Sequence, residues 1–296
     1  MNTEKWLTQN TSSLSGKKIA ITGSTGGIGV WLCSYLARLG ADLILCDRSY
    51  EKVSKLISSL KVKYPKANVK HIYCDLTHTE SVISATKALI DEDIYCFISN
   101  AGAYSIPREI CKCGLDNVFT INFASPYYII RELLPTIEKN SGRAVVVGSI
   151  AHNYSKADFD DVDFRYVKAA SKAYGNAKRY LMFALFEHCK DKKCLSITHP
   201  GITFTNITSH YPKLIFAIIK HPMKIIFTPP RRACLSILRG VFEPTGYKEW
   251  IGPSLFSIWG KPKKKKLKTC KDTESKKIYE IAEKIYLDTL KNQENN

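Results

Sequence analysis

The chain has 296 residues, 45% of them hydrophobic, which is enough for one large domain with a full core. Its formal net charge of +17 favours anionic ligands or surfaces and does not bear on the fold. Ten cysteines are scattered without the spacing of a zinc site, so no metal site is expected. We expect a reduced, cytoplasmic protein, because residues 1–16 lack a signal-peptide pattern and no uncharged apolar run reaches the ~20 residues of a membrane span.

A glycine-rich turn joins the first predicted strand to the first predicted helix. The apolar run that starts at Lys18 ends at Thr22, the turn extends to Gly29, and apolar residues then recur at helical spacing as far as Leu39. A strand, a glycine turn and a helix in this order present unpaired helix N–H groups to a diphosphate. From this motif alone, an ordinary βα turn with no ligand is as good an interpretation as a diphosphate-binding turn.

Strands and helices alternate along the rest of the chain. Apolar runs predict strands at 41–46, 68–74, 94–99, 144–147 and 194–199, and helical periodicity predicts helices at 51–64, 81–90 and about 115–137. This alternation is typical of βαβ units. It predicts a single α/β domain with a doubly wound (Rossmann) parallel sheet, helices on both faces and ligands at the carboxyl ends of the strands.

Three side chains stand where chemistry is expected. Ser149 follows the fifth strand, and Tyr174 and Lys178 lie four residues apart in a helical pattern, which puts them on one face. A phenol can exchange a proton with an alcohol or carbonyl only if its pKa falls well below ~10, and a lysine one turn away favours the phenolate. A Tyr–Lys pair at this spacing is also common on protein surfaces.

Taken together, these motifs resemble the short-chain dehydrogenases/reductases over about 17–259. The resemblance implies a catalytic tetrad of Asn122, Ser149, Tyr174 and Lys178. It also implies a site for a nicotinamide cofactor formed by the glycine turn, the ends of the next strands and the loop after the sixth strand. Besides Tyr174 and Lys178, the implied cofactor-binding residues are Thr22, Gly23, Ser24, Thr25, Gly27, Ile28, Gly29, Asp47, Arg48, Asp75, Leu76, Asn100, Ala101, Gly102, Pro200, Gly201, Ile202 and Thr205.

Within the family, two stretches are similar to the retinol-dehydrogenase-like branch. One is Ser149-Ile150-Ala151-His152 with Asp163-Phe164 downstream, and the other is 246–253. The branch implies an alcohol dehydrogenase or carbonyl reductase that acts on retinoid-, steroid- or lipid-like substrates. The implied mechanism is hydride transfer at the nicotinamide with proton transfer through Tyr174. Lys178 would lower the pKa of Tyr174 and bind ribose, Ser149 would orient the substrate oxygen, and Asn122 would hold a water.

The identity of the cofactor depends on two adjacent residues. Asp47 ends the second strand, where a carboxylate accepts hydrogen bonds from the ribose hydroxyls of NAD(H) and repels a 2′-phosphate. Arg48 stands where an arginine could bind the 2′-phosphate of NADP(H), stack on adenine or point into solvent. We favour NAD(H), because a carboxylate near a phosphate is costly, and NADP(H) stays the alternative.

The excess positive charge is concentrated in the last third of the chain. Residues 211–268 contain thirteen Lys and Arg against two acids. In the family, 206–228 is a substrate lid. Two alternatives for this region are packing on the core and peripheral contact of 211–268 with an anionic membrane. A nucleic-acid partner is disfavoured, because no aromatic residues are interleaved with the basic run. An amphipathic helix is expected over 275–290, docked on the domain or on a second subunit of a homo-oligomer.

We therefore expect an N-terminal extension at 1–16, a catalytic domain at 17–260 and a basic tail at 261–296. A second functional hypothesis is a nucleotide-binding scaffold or sensor at a membrane surface. The tetrad argues against this hypothesis, because a scaffold has no need of Tyr174 and Lys178 together.

Overall fold

The part of the chain that this computed structural model describes, residues 2–203 and 227–294, folds around one sheet of eight strands. In chain order the strands are β1 (Lys18–Thr22), β2 (Asp42–Asp47), β3 (Val69–Tyr73), β4 (Cys96–Ser99), β5 (Arg143–Val147), β6 (Leu195–Thr198), β7 (Glu249–Leu255) and β8 (Trp259–Lys266). Their order in the sheet is β3-β2-β1-β4-β5-β6-β7-β8. All neighbours pair in parallel except β7 and β8, which are antiparallel. The predicted doubly wound α/β fold is confirmed.

Helices cover both faces of this sheet. They are α1 (Thr3–Asn10), α2 (Gly27–Arg38), α3 (Tyr50–Lys63), α4 (Thr79–Asp91), α5 (Asn117–Phe119), α6 (Ser125–Lys139), α7 (Ala170–His188), α8 (Pro230–Phe242) and α9 (Asp272–Glu294). One buried cluster lies between the sheet and α4, α6, α7 and α9, and a second lies between the sheet and α1, α2, α3 and α8. Because both faces are covered, central strands such as β5 are apolar at nearly every position.

The long helix expected over about 115–137 is interrupted in the structure. Between α5 and α6, the backbone forms a π-helical segment, Thr120–Ala124. Pro126 has no N–H to donate to the carbonyl of Asn122, the residue four positions before it. The Asn122 side chain donates to the carbonyl of Val118, 2.8 Å away. The interruption thus occurs at a residue that the resemblance assigns to catalysis, where π-helical turns are frequent.

The C-terminal third adds a β-hairpin that the sequence did not predict. The boundary expected between residues 260 and 261 falls inside β8, so the lysine run belongs to the edge strand of the sheet. Two of its lysines make internal contacts: Lys264 pairs with Glu243 at 2.9 Å, and Lys265 donates to the Pro253 carbonyl at 2.7 Å. The lysine run is therefore part of the folded sheet.

The remaining expectations about chain organisation concern the two ends and the lid. In α1, Trp6 and Leu7 are buried in the second cluster, so the N-terminal extension packs on the domain. The predicted lid at about 206–228 lies almost entirely outside the described residues, which stop at 203 and resume at 227. Within the described ranges, every helix falls short of the length and hydropathy that a bilayer crossing requires.

A buried ion pair fastens α9 to α7. Arg179 donates to both carboxylate oxygens of Glu274, at 2.7 and 2.6 Å, and to the backbone carbonyl of His152 at 2.6 Å. The Arg179 side chain is only 8% exposed and that of Glu274 17%. The predicted C-terminal helix thus docks on its own domain, and its first turn is tied to the segment that follows Ser149.

This ion pair predicts a large effect of a single truncation. Glu274→Ala leaves the buried Arg179 guanidinium without its counter-charge, and we expect the free energy of unfolding to fall by about 3–5 kcal/mol. Urea denaturation measures this change. The matched control is Glu51→Ala, which removes the exposed Glu51–Lys55 pair and should cost under about 1 kcal/mol. Equal losses in the two variants would show that the buried pair adds nothing special.

Candidate active site

The turn after β1 is built around two glycines that no other residue can replace. Gly23 has φ +67°, and a Cβ on it would lie 2.8 Å from the Cα of Ala101. A Cβ on Gly29 would lie 2.2 Å from the carbonyl oxygen of Gly23. The first turn of α2 therefore packs directly on the end of β1. Its N-terminal N–H groups lie at the carboxyl edge of the sheet, where a diphosphate can be bound.

The turns after β1 and β4 are held together by one asparagine and one threonine. The Asn100 side-chain amide donates to the carbonyls of Thr22 at 3.1 Å and Gly23 at 2.9 Å. The Thr22 hydroxyl in turn accepts from the backbone N–H groups of Asn100 and Ala101, each at 3.2 Å. The predicted motifs 22–29 and 100–102 thus come together at the point where the strand order reverses, which is where doubly wound sheets bind ligands.

Asp47 lies at the end of β2, beside the glycine turn. Its carboxylate accepts from the Ser24 N–H at 3.0 Å, the Ser24 hydroxyl at 2.5 Å and the Thr25 hydroxyl at 3.4 Å. Burial raises the pKa of Asp47, and these hydrogen bonds oppose the rise. The carboxylate therefore braces the turn in addition to facing the expected ribose position, a contact that the sequence could not reveal.

A cavity of about 250 Å³ extends from Asp47 along the ends of β3 and β4. Burial alone would raise the pKa of Asp75, but hydrogen bonds from Thr77 and the charge of exposed Arg48 bring it below its usual value. Arg48 is thus close enough to act on Asp75. The cavity lies where the resemblance places the adenosine half of the cofactor. Its wall contains Gly23, Asp47, Arg48, Asp75, Leu76, Ala101 and Gly102, all predicted cofactor-binding residues, together with Ile106, Asn117 and Ile121, among others.

Tyr174 and Lys178 lie one turn apart on α7, as predicted. The Lys178 Nζ atom is 5.8 Å from the centre of the Tyr174 ring and donates to the Val147 carbonyl at the end of β5, 3.0 Å away. Burial lowers the pKa of Lys178 to about 8. A fully buried ammonium with one hydrogen-bond acceptor is held at a clear electrostatic cost, which is common at functional sites.

The pKa of Tyr174 differs from the expectation. Burial raises it to about 12, and only a hydrogen bond with Ser149 opposes the rise appreciably. The Lys178 ammonium, 5.8 Å from the centre of the ring, does not offset this rise in pKa, because the loss of hydration dominates. At neutral pH the phenol carries its proton. Ser149 itself caps the short 3₁₀ helix Ile150–Asn153 by accepting from the Ala151 N–H at 3.1 Å.

Asn122 is fully buried beside the same site. Its side chain exchanges two hydrogen bonds with the backbone of Ala103, accepting from the N–H at 3.2 Å and donating to the carbonyl at 2.8 Å. A Cβ placed on Gly102 would lie 2.8 Å from the Asn122 Oδ1 atom and 3.7 Å from Lys178 Nζ. Asn122 and Lys178 therefore flank one glycine, and the predicted tetrad is gathered at the carboxyl ends of β4 and β5.

The loop after β6 is described as far as residue 203. Gly201 has φ +84°, and Pro200 and Ile202 flank it in the turn predicted to meet the nicotinamide. Thr205, the last predicted residue of this loop, lies outside the described residues. Within the described ranges, no group of acidic, His and Cys side chains could hold a metal ion, and the cysteines there are all unpaired thiols.

Two residues at the site were missed by the sequence analysis. Tyr104 packs its ring edge-on against Tyr174, with centroids 5.5 Å apart and planes at 88°. Arg179 follows Lys178 and donates a hydrogen bond to the carbonyl of His152, in the segment after Ser149. Only the position of Tyr104, two residues after the predicted Asn100-Ala101-Gly102 motif, could have suggested it. An arginine beside the lysine offered no signal, since its partner Glu274 is far away in the sequence.

The comparisons with known proteins agree with this geometry. The family model described as short chain dehydrogenase matches residues 17–182, more than half of the chain. An uncharacterised oxidoreductase of Schizosaccharomyces pombe is 28% identical over 275 residues, 87% of this chain and 81% of that protein. Retinol dehydrogenase 13 of Homo sapiens is 25% identical over 207 residues, 67% of this chain and 62% of the human protein.

Solved structures show the same fold. A protein from Mycobacterium paratuberculosis aligns with a TM-score of 0.74 at 20% identity, covering 94% of this chain and 96% of that one. An alcohol dehydrogenase from Thermococcus sibiricus aligns with a TM-score of 0.57 at 20% identity, covering 75% of this chain and 88% of that one. The chain belongs to the short-chain dehydrogenase/reductase family of NAD(P)-dependent alcohol and carbonyl oxidoreductases, and within it is similar to the retinol-dehydrogenase-like branch.

Proposed function

We propose that this enzyme transfers a hydride between a nicotinamide cofactor and a lipophilic alcohol or carbonyl, with Asn122, Ser149, Tyr174 and Lys178 as its tetrad. The observation that carries the proposal is the half-buried Tyr174 phenol, which lies beside Ser149 and one helical turn from a buried lysine. The nicotinamide supplies the hydride chemistry when bound. The residues around it supply orientation, a transferable proton and an electric field.

Tyr174 and Ser149 act on the oxygen of the substrate. With a pKa of about 12, the phenol is protonated at neutral pH, which is the form that gives a proton to a carbonyl oxygen during reduction. In the oxidation direction the same atom must first lose its proton. Ser149 holds the substrate oxygen within reach of the phenol by a hydrogen bond from its hydroxyl.

Lys178 and Asn122 act behind the phenol. The Lys178 ammonium stabilises the phenolate that forms after proton transfer and binds the nicotinamide ribose hydroxyls. Asn122, which flanks Gly102 together with Lys178, positions a water that returns the proton to Tyr174. The Val147 carbonyl, 3.0 Å from Lys178 Nζ, orients the ammonium for both roles.

The substrate class is inferred from the relatives and from the wall of the site. Two of the relatives are a retinol dehydrogenase and a polyprenol dehydrogenase, whose names denote long apolar alcohols. In this chain, the aromatic ring of Tyr104 packs against Tyr174 and adds apolar surface next to it. Such a surface favours an apolar chain or ring system over a charged substrate. The basic residues of 211–268 would bring the enzyme to anionic membranes, where these substrates dissolve.

We also propose that NAD(H) is the preferred cofactor. The Asp47 carboxylate stands at the end of β2, and its negative charge is costly next to a 2′-phosphate. Arg48 is exposed and its charge acts on Asp75, so it is not committed to the ribose position. Some of the solved neighbours are complexes with NADP, which makes a direct comparison of the two cofactors necessary.

The role of Tyr174 is tested by removing one oxygen atom. Tyr174→Phe should lower kcat by about three orders of magnitude or more, because the general acid is lost. The dissociation constant for NADH should change less than about threefold, since the ring and Lys178 remain. Steady-state kinetics and cofactor fluorescence titration measure the two quantities. If the variant retained most of the wild-type kcat, the acid would be misassigned.

Cofactor preference is tested with two variants of Asp47. Asp47→Asn keeps an oxygen that can accept from Ser24 but removes the charge, so NADP(H) affinity should rise about tenfold or more while the turn stays intact. Asp47→Ala also removes the brace and should weaken binding of both cofactors relative to Asp47→Asn. Titration of each variant with NADH and NADPH separates the two effects. A wild type that already binds NADPH more tightly would contradict the assignment.

Burial of Lys178 predicts a trade-off between stability and activity. Its folded pKa of about 8 lies below the unfolded value near 10.4, so the unfolded chain binds more protons between these pH values. The lysine therefore destabilises the fold fully below about pH 8, and the penalty vanishes as pH rises towards 10.4. Lys178→Met should raise the free energy of unfolding by about 1–3 kcal/mol at pH 7, after loss of one hydrogen bond, while abolishing turnover. Urea titrations at pH 7 and 9.5 should show a smaller gain at the higher pH, and a less stable variant at pH 7 would refute the trade-off.

A further inference from the structure

The tip of the β7–β8 hairpin carries an exposed apolar cluster that the proposed chemistry does not use. Phe256 is 85% exposed, Leu255 57% and Trp259 40%. Single exposed apolar residues are ordinary on a protein surface, but three within the five residues 255–259 of one hairpin tip are not. We define these three residues as the hairpin tip.

The backbone holds Phe256 outward in an unusual conformation. The N–H of Ile258 donates to the carbonyl of Leu255 at 3.0 Å, and the two central residues, Phe256 and Ser257, have φ of +49° and +57°. This is the geometry of a type I′ turn, which Asn-Gly or Asp-Gly normally occupies because bulky residues resist positive φ. A large aromatic at this position is poorly suited to the turn itself, which points to a role for its exposed ring.

Positive charge follows directly behind the tip. Residues 249–268 contain six lysines and a single acid, Glu249. Lys264 and Lys265 make the internal contacts described above, which leaves four exposed lysines on and just after β8: Lys261, Lys263, Lys266 and Lys268. An apolar tip backed by lysines matches the layering of an anionic bilayer, in which headgroup charges lie above the acyl chains.

The hairpin turn also contacts the loop that follows β6. The carbonyl of Ile258, in the turn, accepts from the Thr228 hydroxyl at 2.9 Å. A Cβ on Gly201, in the loop predicted to meet the nicotinamide, would lie 2.8 Å from the same oxygen. A surface that the tip enters would therefore lie close to the loop that the resemblance assigns to the nicotinamide.

We propose that the hairpin tip inserts into an anionic lipid bilayer and so turns the active-site mouth towards membrane-dissolved substrate. A bilayer fits better than a protein partner, because a stable protein interface buries about 800 Å² on each side and three side chains on a narrow turn offer much less. The proposal rests on the lipophilic substrate of the proposed function. It narrows the sequence-based expectation of a membrane contact somewhere in 211–268 to one turn of the β7–β8 hairpin.

The experiment is vesicle co-sedimentation of the full chain with two lipid compositions: phosphatidylcholine alone, and phosphatidylcholine mixed with phosphatidylserine. Wild type should bind the anionic vesicles and bind neutral ones about tenfold more weakly. Phe256→Asn should lower binding to anionic vesicles about tenfold, because asparagine tolerates the positive φ but removes the apolar ring. The matched control is Val62→Asn, which replaces an equally exposed apolar side chain on α3, near the opposite edge of the sheet, and should bind as wild type does.

A further variant tests the contribution of the lysines. The double variant Lys261→Gln/Lys263→Gln should bind anionic vesicles several-fold more weakly and with a smaller dependence on salt. Unchanged binding of Phe256→Asn, absence of wild-type binding to anionic vesicles, or self-association through the tip in analytical ultracentrifugation would each overturn the proposal. Turnover of a water-soluble carbonyl without vesicles tests the proposed function separately, and it should be equal in wild type, Phe256→Asn and Val62→Asn.

Discussion

The site depends on the contact between the turns that follow β1 and β4. Asn100 satisfies two carbonyls of the first turn with its amide, while the Thr22 hydroxyl satisfies two N–H groups of the second. These backbone groups lie where the strands have ended, so the sheet itself cannot pair them, and leaving them unpaired in a buried place would be costly. Because the strand order reverses at this point, the same contact fixes both the diphosphate-binding turn and the segment that carries Gly102 towards Asn122 and Lys178.

The tetrad is assembled at the expense of stability. Burial pushes the pKa of Lys178 down and that of Tyr174 up, so both side chains are held in surroundings that disfavour their charged forms. The same lack of hydration makes a charge placed in the site act strongly on its neighbours. A phenol that resists ionisation until charge is present beside it is suited to lose its proton only during turnover. Tyr174, with Lys178 one turn away, is therefore better understood as a phenol that ionises only when a charged group is bound beside it than as a permanently activated phenol.

The sequence was sufficient where a requirement is local. The glycine turn, the alternation of strands and helices, and the i, i+4 spacing of Tyr174 and Lys178 each follow from short-range sterics or periodicity, and the structure has all of them. The sequence was insufficient where a contact or a pKa depends on residues that are far apart in the chain. The hydrogen bonds from Ser24 to Asp47, the ion pair of Arg179 with Glu274 and the direction of the pKa shift of Tyr174 all arise from tertiary burial. The strand β8 was not predicted because it is rich in lysine, and an edge strand tolerates charged side chains that a central strand does not.

The C-terminal addition also affects how the catalytic segment is held. The segment after Ser149 has little regular structure of its own beyond a short 3₁₀ helix, and its carbonyl at His152 is fixed by Arg179. Arg179 can remain buried in that position only because Glu274 neutralises it, and Glu274 comes from the first turn of α9. His152 is also in contact with Thr269, which lies between β8 and α9, at 2.8 Å. The placement of Ser149 is thus tied, through His152 and Arg179, to the chain that follows the β7–β8 hairpin.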